Sequence, residues 1–143
     1  MKLVDANVLL YATNSADPKH EPSRRWLDAS LGGSEAIGFA WVVVLAFLRL
    51  STKPGLFPRP LPVPDALAVV RAWTEQPPSV IPEATPRHLD LLGGLVAEVG
   101  TGGNLTTDAH LAALAVEHNA TIVTYDPDFG RFTGVRWQPP GLG

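Results

Sequence analysis

Short apolar runs rich in β-branched residues alternate along the chain with stretches of helical period, and this alternation constrains the fold more than any other feature. Lys2 to Val4 reads as a short buried strand, and Asn7 to Thr13 begins a helix. Pro22 to Ser30 has helical spacing, with Trp26 and Leu27 facing inward and Gly32-Gly33 closing the segment. Ala36 to Ala40 is a second strand. Trp41 to Ser51 contains three consecutive valines, which favour a strand, but its length and the spacing of Leu45, Leu48 and Arg49 predict a buried helix. Pro54 to Pro64 holds five prolines and predicts a loop, too short and too apolar to separate domains. A helix follows from Asp65 to Gln76, opened by Pro64, since proline is tolerated in a first turn. Ser79 to Ile81 is a strand, and Pro86 to Val99 a helix weakened by Gly93-Gly94. Residues 100–103 (GTGG) form a hinge before a helix around Asp108 that runs to about His118, where Asn119 is a C-terminal stop. Thr121 to Thr124 and Gly134 to Trp137 are the last strands, the second at an edge. Strands alternating with helices predict an α/β fold, a short parallel sheet with helices on both faces. The length suits one domain over residues 1–143.

Composition excludes several function classes. There is no cysteine, hence no disulfide, thiolate metal site or cysteine nucleophile. This fits a reducing cytosol. The formal charge of −3 gives no basic excess to announce nucleic acid. No signal-peptide core precedes Asp5 and Asn7, and the longest apolar run, Ile37 to Leu48, has 12 residues, too few to cross a bilayer. A soluble, cytoplasmic protein is expected.

Three aspartates occupy equivalent places. Asp5 and Asp126 each follow an apolar strand, and Asp108 lies in the first turn of a helix. In parallel sheets, functional groups gather beyond the carboxyl ends of the strands. Each aspartate has an ordinary explanation as a turn or N-cap residue. Together, with only Lys2, Lys19 and Lys53 as lysines, they point to a hard cation. Asp108 should also be favoured by the helix dipole and free N–H groups. An all-oxygen site without histidine suits Mg²⁺ or Mn²⁺. The chemistry implied is metal-assisted phosphoryl transfer or phosphodiester hydrolysis.

Other motifs are absent. His20, His88, His110 and His118 form no H-x-x-H or H-E-x-x-H pattern and read as surface or packing residues. No G-x-S-x-G elbow, phosphate loop or G-x-G-x-x-G occurs. The four tryptophans are dispersed and read as core or rim. A phosphatase or receiver-like use of Asp5 would need a second aspartate, where Asn7 stands, and a late lysine, which the chain lacks.

The segments L-V-D-A-N-V-L-L, G-N-L-T-T-D-A-H-L-A-A-L-A and T-I-V-T-Y-D-P-D-F-G-R-F resemble, in order, the motifs of PIN-domain ribonucleases, specifically VapC-type toxins of type II toxin–antitoxin systems. F-L-R-L-S-T and G-V-R-W-Q-P-P are similar to an actinobacterial branch. The resemblance implies a PIN-like fold and Mg²⁺- or Mn²⁺-dependent RNA cleavage. It assigns Asp5, Asp108 and Asp126 to the acidic cluster, with Asp128 as a further ligand of metal or water. Thr124 matches a hydroxyl that orients the site, and Asn7 a carboxylate partner. Arg49 matches the family's arginine, and Arg24, Arg25, Arg87, Arg131 and Arg136 are further candidates for RNA.

One position departs from the pattern. The family usually carries a glutamate where this chain has Ala46, and the nearest glutamate, Glu35, precedes a strand and belongs at its wrong end. Weaker metal affinity is expected, with a two-metal site in doubt. A domain that binds RNA or a protein partner without cutting is the alternative. The resemblance further implies a VapB-like antitoxin whose tail fills the acidic cleft, and homodimerisation, with Trp41 to Leu50 and the proline-rich loop as contact surfaces.

Overall fold

The computed structural model describes residues 1–141, so Leu142 and Gly143 of the expected domain lie outside the described residues. Five strands, β1 (Lys2–Val4), β2 (Ile37–Gly38), β3 (Ser79–Val80), β4 (Thr121–Val123) and β5 (Arg136–Gln138), form one sheet. Its order is β3-β2-β1-β4-β5, and every neighbouring pair is parallel. β1 is central and pairs with β4 through Lys2↔Thr121, Leu3↔Ile122 and Val4↔Val123. Six helices supply the crossovers: α1 (Ala6–Thr13), α2 (His20–Leu31), α3 (Trp41–Thr52), α4 (Val63–Thr74), α5 (His88–Val99) and α6 (Leu105–Glu117). Parallel strands require such connections, and covering both faces is why Leu3, Val4, Ile122 and Val123 of the central strands are buried and apolar.

The core is continuous through the sheet. Leu3, Val4, Ile37, Phe39, Ile122 and Val123 are buried against Val8, Leu9, Val43, Phe47, Leu111 and Leu114 of the helices. Residues 41–52 form a helix despite the valine run, as expected from their length. Trp73 of α4 stacks on Phe39 with ring centroids 6.3 Å apart and meets Phe47 edge-on at 5.0 Å. Gly38 permits close packing: a Cβ there would lie 2.9 Å from Leu3 Cδ1 and push that side chain aside.

Boundaries differ from expectation at several ends. α2 begins at His20, with Pro22 inside its first turn, where a missing N–H costs nothing. α4 runs from Val63 to Thr74, ending before Gln76. α5 passes through Gly93-Gly94 unbroken. Asn119 ends the segment after α6 with φ 51°, a left-handed conformation that asparagine tolerates. Trp26 and Leu27 face inward as expected, Leu27 within the core and Trp26 partly buried against it. No described helix is long and apolar enough to cross a membrane.

Candidate active site

The carboxyl edge of the sheet gathers Asp5, Asn7, Thr124 and Asp126. Asp5 follows β1 and its N–H still donates to Val123 O at 3.0 Å, continuing the β1–β4 pairing. It then caps α1, its Oδ1 accepting the Ala6 N–H at 2.8 Å. The ordinary N-cap explanation is therefore true of Asp5, but it occupies one oxygen. Oδ2 accepts the hydroxyl of Thr124 at 2.8 Å. Thr124 is fully buried at the end of β4. Its oxygen accepts in turn from Asn7 Nδ2 at 3.1 Å and the Asp126 N–H at 3.0 Å. Asn7 Oδ1 accepts the Tyr125 N–H at 3.2 Å. Residues more than a hundred positions apart are thus locked together by a saturated polar network.

Asp126 likewise caps the 3₁₀ turn Pro127–Arg131, its Oδ1 accepting the Asp128 N–H at 2.9 Å. Asp128 itself is exposed. Asp108 behaves differently from both expectations made of it. α6 starts at Leu105, which places Asp108 in its first turn as expected, but the Asp108 N–H is already bonded to Asn104 O at 2.9 Å and its carboxylate caps nothing. Nor does the helix dipole hold it ionised. Burial, together with the charges of Asp5, Asp126 and Asp128, pushes its carboxyl up to about 6. Asp5 is also raised: burial dominates, hydrogen bonds from Thr124 and Ala6 work against it, and Asp126 adds repulsion.

Among the described residues none of these four aspartates has an ion-pair partner; the pairs are Met1–Glu35, Arg24–Asp28, Arg25–Glu21 and His88–Glu117. Mutual repulsion without a counter-charge is the condition a divalent cation relieves. The donors are all oxygen, which suits Mg²⁺ or Mn²⁺. Among the described residues no three carboxylate or imidazole side chains stand close enough to enclose an ion by themselves. Asp5, Asp108 and Asp126 are therefore not closed into one three-carboxylate cage, and a cation here would depend on one or two carboxylates and water.

Asp5 and Asp108 share a cavity of about 50 Å³ whose walls include Val42, Val43, Ala46 and Thr107. Ala46 therefore faces the two carboxylates. Glu35 sits at the other end of the sheet, 3.5 Å from the Met1 ammonium, and does not replace a missing acid. Arg49 is exposed near the end of α3 and does not join the carboxylates. Arg136 bonds Asn119, while Arg24 and Arg25 are engaged along α2.

The histidines were under-read from sequence. Glu117 Oε2 accepts from His88 Nδ1 at 2.8 Å, and His88 Nε2 lies 2.8 Å from His110 Nδ1. The available signal was the seven-residue spacing of His110 and Glu117, two turns apart on one helix face. Val42, Val43 and Thr107 gave no sequence signal, since nothing marks an apolar or threonine residue as lining a site.

A parallel sheet with uncompensated carboxylates beyond its central strands defines an acidic-cluster α/β protein. Comparison with known proteins narrows this: the PIN-domain family profile matches residues 2–135, and the chain belongs to that family. It is 60% identical over 143 residues to Ribonuclease VapC37 of Mycobacterium tuberculosis, covering 99% of each chain. It is 39% identical to Ribonuclease VapC33 of the same species over 98% of each. Among solved structures, VapBC2 from Rickettsia felis bound to a promoter DNA fragment superposes with a TM-score of 0.72 at 17% identity, covering 96% of this chain and 97% of that one. The M. tuberculosis toxin VapC20 gives 0.67 at 18% identity, covering 95% and 99%. At those identities the likeness is one of fold.

Proposed function

We propose that the chain is a divalent-metal-dependent endoribonuclease and the toxin of a type II toxin–antitoxin pair, built as a single PIN-like domain over residues 1–143. The observation that carries this reading is the set of unpaired, mutually repelling aspartates at the carboxyl edge. The names of the relatives, ribonucleases of the VapC kind over nearly the full chain, support the activity and the toxin role.

Asp5 and Asp108 would hold Mg²⁺ or Mn²⁺, with Asp126 and Asp128 at the mouth. When bound, the metal offsets charge on the scissile phosphodiester and acidifies water. Thr124 and Asn7 orient Asp5 through the hydrogen bonds described, so that the carboxylate needs no rearrangement on binding. Asp126, half-buried and fixed by its turn, accepts the proton of the attacking water. Arg49, Arg87 and Arg131, which make no side-chain ion pair among the described residues, are the candidates to contact the RNA backbone.

The test is cleavage of an RNA panel with Mg²⁺ by wild type and Asp5→Asn. Cleavage confined to wild type supports the assignment, and equal cleavage by both sinks it. Ala46 on the cavity wall favours a second reading, a domain that binds without cutting. Calorimetry separates the two, since absence of metal uptake at millimolar Mg²⁺ would favour the binder.

A VapB-like antitoxin is the expected partner, by analogy with the VapBC complexes among the structural neighbours. An apolar groove of about 250 Å³ formed by Leu10, Tyr11, Leu50, Leu56 and Phe57 adjoins Asn7 and gives such a segment a seat beside the acidic cleft. Homodimerisation in the cytoplasm completes the proposal, with exposed Leu45 of the Trp41 to Leu50 stretch and Val63 of the proline-rich segment as contact residues.

A further inference from the structure

A second cavity, of about 200 Å³, lies beyond the carboxyl ends of β2 and β3. Its walls are Trp41 and Val42 of α3, Pro82 and Glu83 after β3, and His110 and Leu114 of α6. Val42 also lines the cavity of Asp5 and Asp108, so the two spaces adjoin along one edge of the sheet. Trp41 is 58% exposed, an unusual state for the largest apolar side chain. His110 is held from behind. The Glu117 carboxylate accepts from His88, whose other ring nitrogen meets His110 Nδ1. Glu117 is anchored by the Thr85 backbone N–H at 3.0 Å and by the Thr85 hydroxyl. This chain occupies His110 Nδ1 and leaves Nε2 for a ligand.

We propose that this cavity is a nucleobase subsite, in which a base next to the cleaved phosphodiester lies against Trp41 and is read at its edge by His110 and Glu83. The inference rests on the nuclease reading of the acidic cluster. Three observations select a base. The cavity has an aromatic face, apolar walls and two hydrogen-bonding side chains, the combination that recognises unstacked RNA bases. It contains no lysine or arginine and one carboxylate, which is wrong for a phosphate. It is smaller than the roughly 300–1,000 Å³ pockets that take whole small-molecule ligands, and so suits part of a chain. His110 is oriented by its ring contact with His88, which leaves its Nε2 edge for a base. Glu83 can only accept, and it rewards bases with N–H donors. The subsite would bias where the enzyme cuts without touching the metal site.

The experiment compares kcat/KM for short RNAs that are intact, or abasic at each position flanking the cleavage site, in wild type, Trp41→Ala and His110→Gln. Stacking on an aromatic contributes roughly 5- to 150-fold per base. Wild type should lose about that factor at one abasic position. Trp41→Ala should lose a similar factor on intact RNA and little more on the abasic one, with its Mg²⁺ midpoint unchanged. His110→Gln should alter base preference at the same position. Trp41 is exposed, so an unchanged circular dichroism spectrum and thermal unfolding curve are expected for its variant. Wild-type rates and cleavage sites in Trp41→Ala overturn the proposal. So does a dimeric wild type that Trp41→Ala turns into a monomer, which would make this face a contact between copies. If wild type cuts no RNA, the nuclease reading fails separately. The subsite is then read by quenching of tryptophan fluorescence with free nucleosides: quenching lost in Trp41→Ala supports it, and no quenching overturns it.

Discussion

Replacing Asp108 by asparagine removes a carboxyl whose charge the fold opposes. Burial and three neighbouring aspartates raise it from 3.8 to about 6. A raised carboxyl binds its proton more tightly in the folded chain than in the unfolded one. The stability it contributes is therefore fully present below about pH 4 and is lost as pH rises through about 6. Two units correspond to about 3 kcal/mol as a ceiling. Asp108 is only half-buried, and solvent screening reduces this to about 1–2 kcal/mol. Asp108→Asn should thus be more stable than wild type by that amount near pH 7.5 in a chelator. The corresponding rise in Tm is about 2–4 °C per kcal/mol. Near pH 4 the two proteins should melt together. Mg²⁺ should reverse the order, because a ligand at about a hundred times its Kd adds about 2.7 kcal/mol to the protein that binds it. Thermal unfolding at both pH values, with chelator and with Mg²⁺, measures all of this. A variant less stable than wild type near pH 7.5 without metal, or equally stabilised near pH 4, would refute the reasoning.

Three further outcomes follow from the same structure. Thr124→Val keeps the shape but deletes the hydroxyl that donates to Asp5 and accepts from Asn7 and the Asp126 N–H; chemical denaturation should show a loss of about 2–4 kcal/mol, and calorimetry weaker Mg²⁺ binding. Ala46→Glu adds an acid to the wall shared by Asp5 and Asp108; it should lower the metal-free Tm and tighten Mg²⁺ binding by about tenfold, and unchanged affinity would mean that Ala46 is not the missing ligand position. Ser51 is buried in α3 with no hydrogen-bond partner for its hydroxyl among the described residues, so Ser51→Ala should be neutral or stabilising by up to about 1 kcal/mol, whereas a loss above that in denaturant titration would imply a partner.

Much of the architecture was legible because it follows from local period. Apolar runs of three to five residues bounded by polar turns can only be short buried strands. Trp41 to Thr52 is too long for such a strand and keeps helical spacing, which is why it is helical despite its valines. Element ends were less legible. Nothing in Asn104-Leu105-Thr106-Thr107 singles out the capping residue, yet the helix begins at Leu105 and leaves Asp108 without a capping role. The candidate site was partly legible as well. Asp5, Asp108 and Asp126 stand out by their place after strands or at a helix start. Asn7 and Thr124 were indicated by resemblance, and Arg49, indicated the same way, does not reach the carboxylates.

The sequence by itself determined the alternation of strands and helices, the absence of thiols and the supply of carboxylates with few lysines. These are properties of composition and of neighbours within one or two turns. Only the tertiary structure decided that β1 lies beside β4, which brings Thr124 against Asp5 across 119 positions. It also decided that Asp108 is held against its charge rather than favoured by its helix. The pairing of His88 with His110, and the outward turn of Trp41 beside the acidic cavity, belong to the same level. Proximity between distant residues depends on strand order, and no local pattern encodes that order.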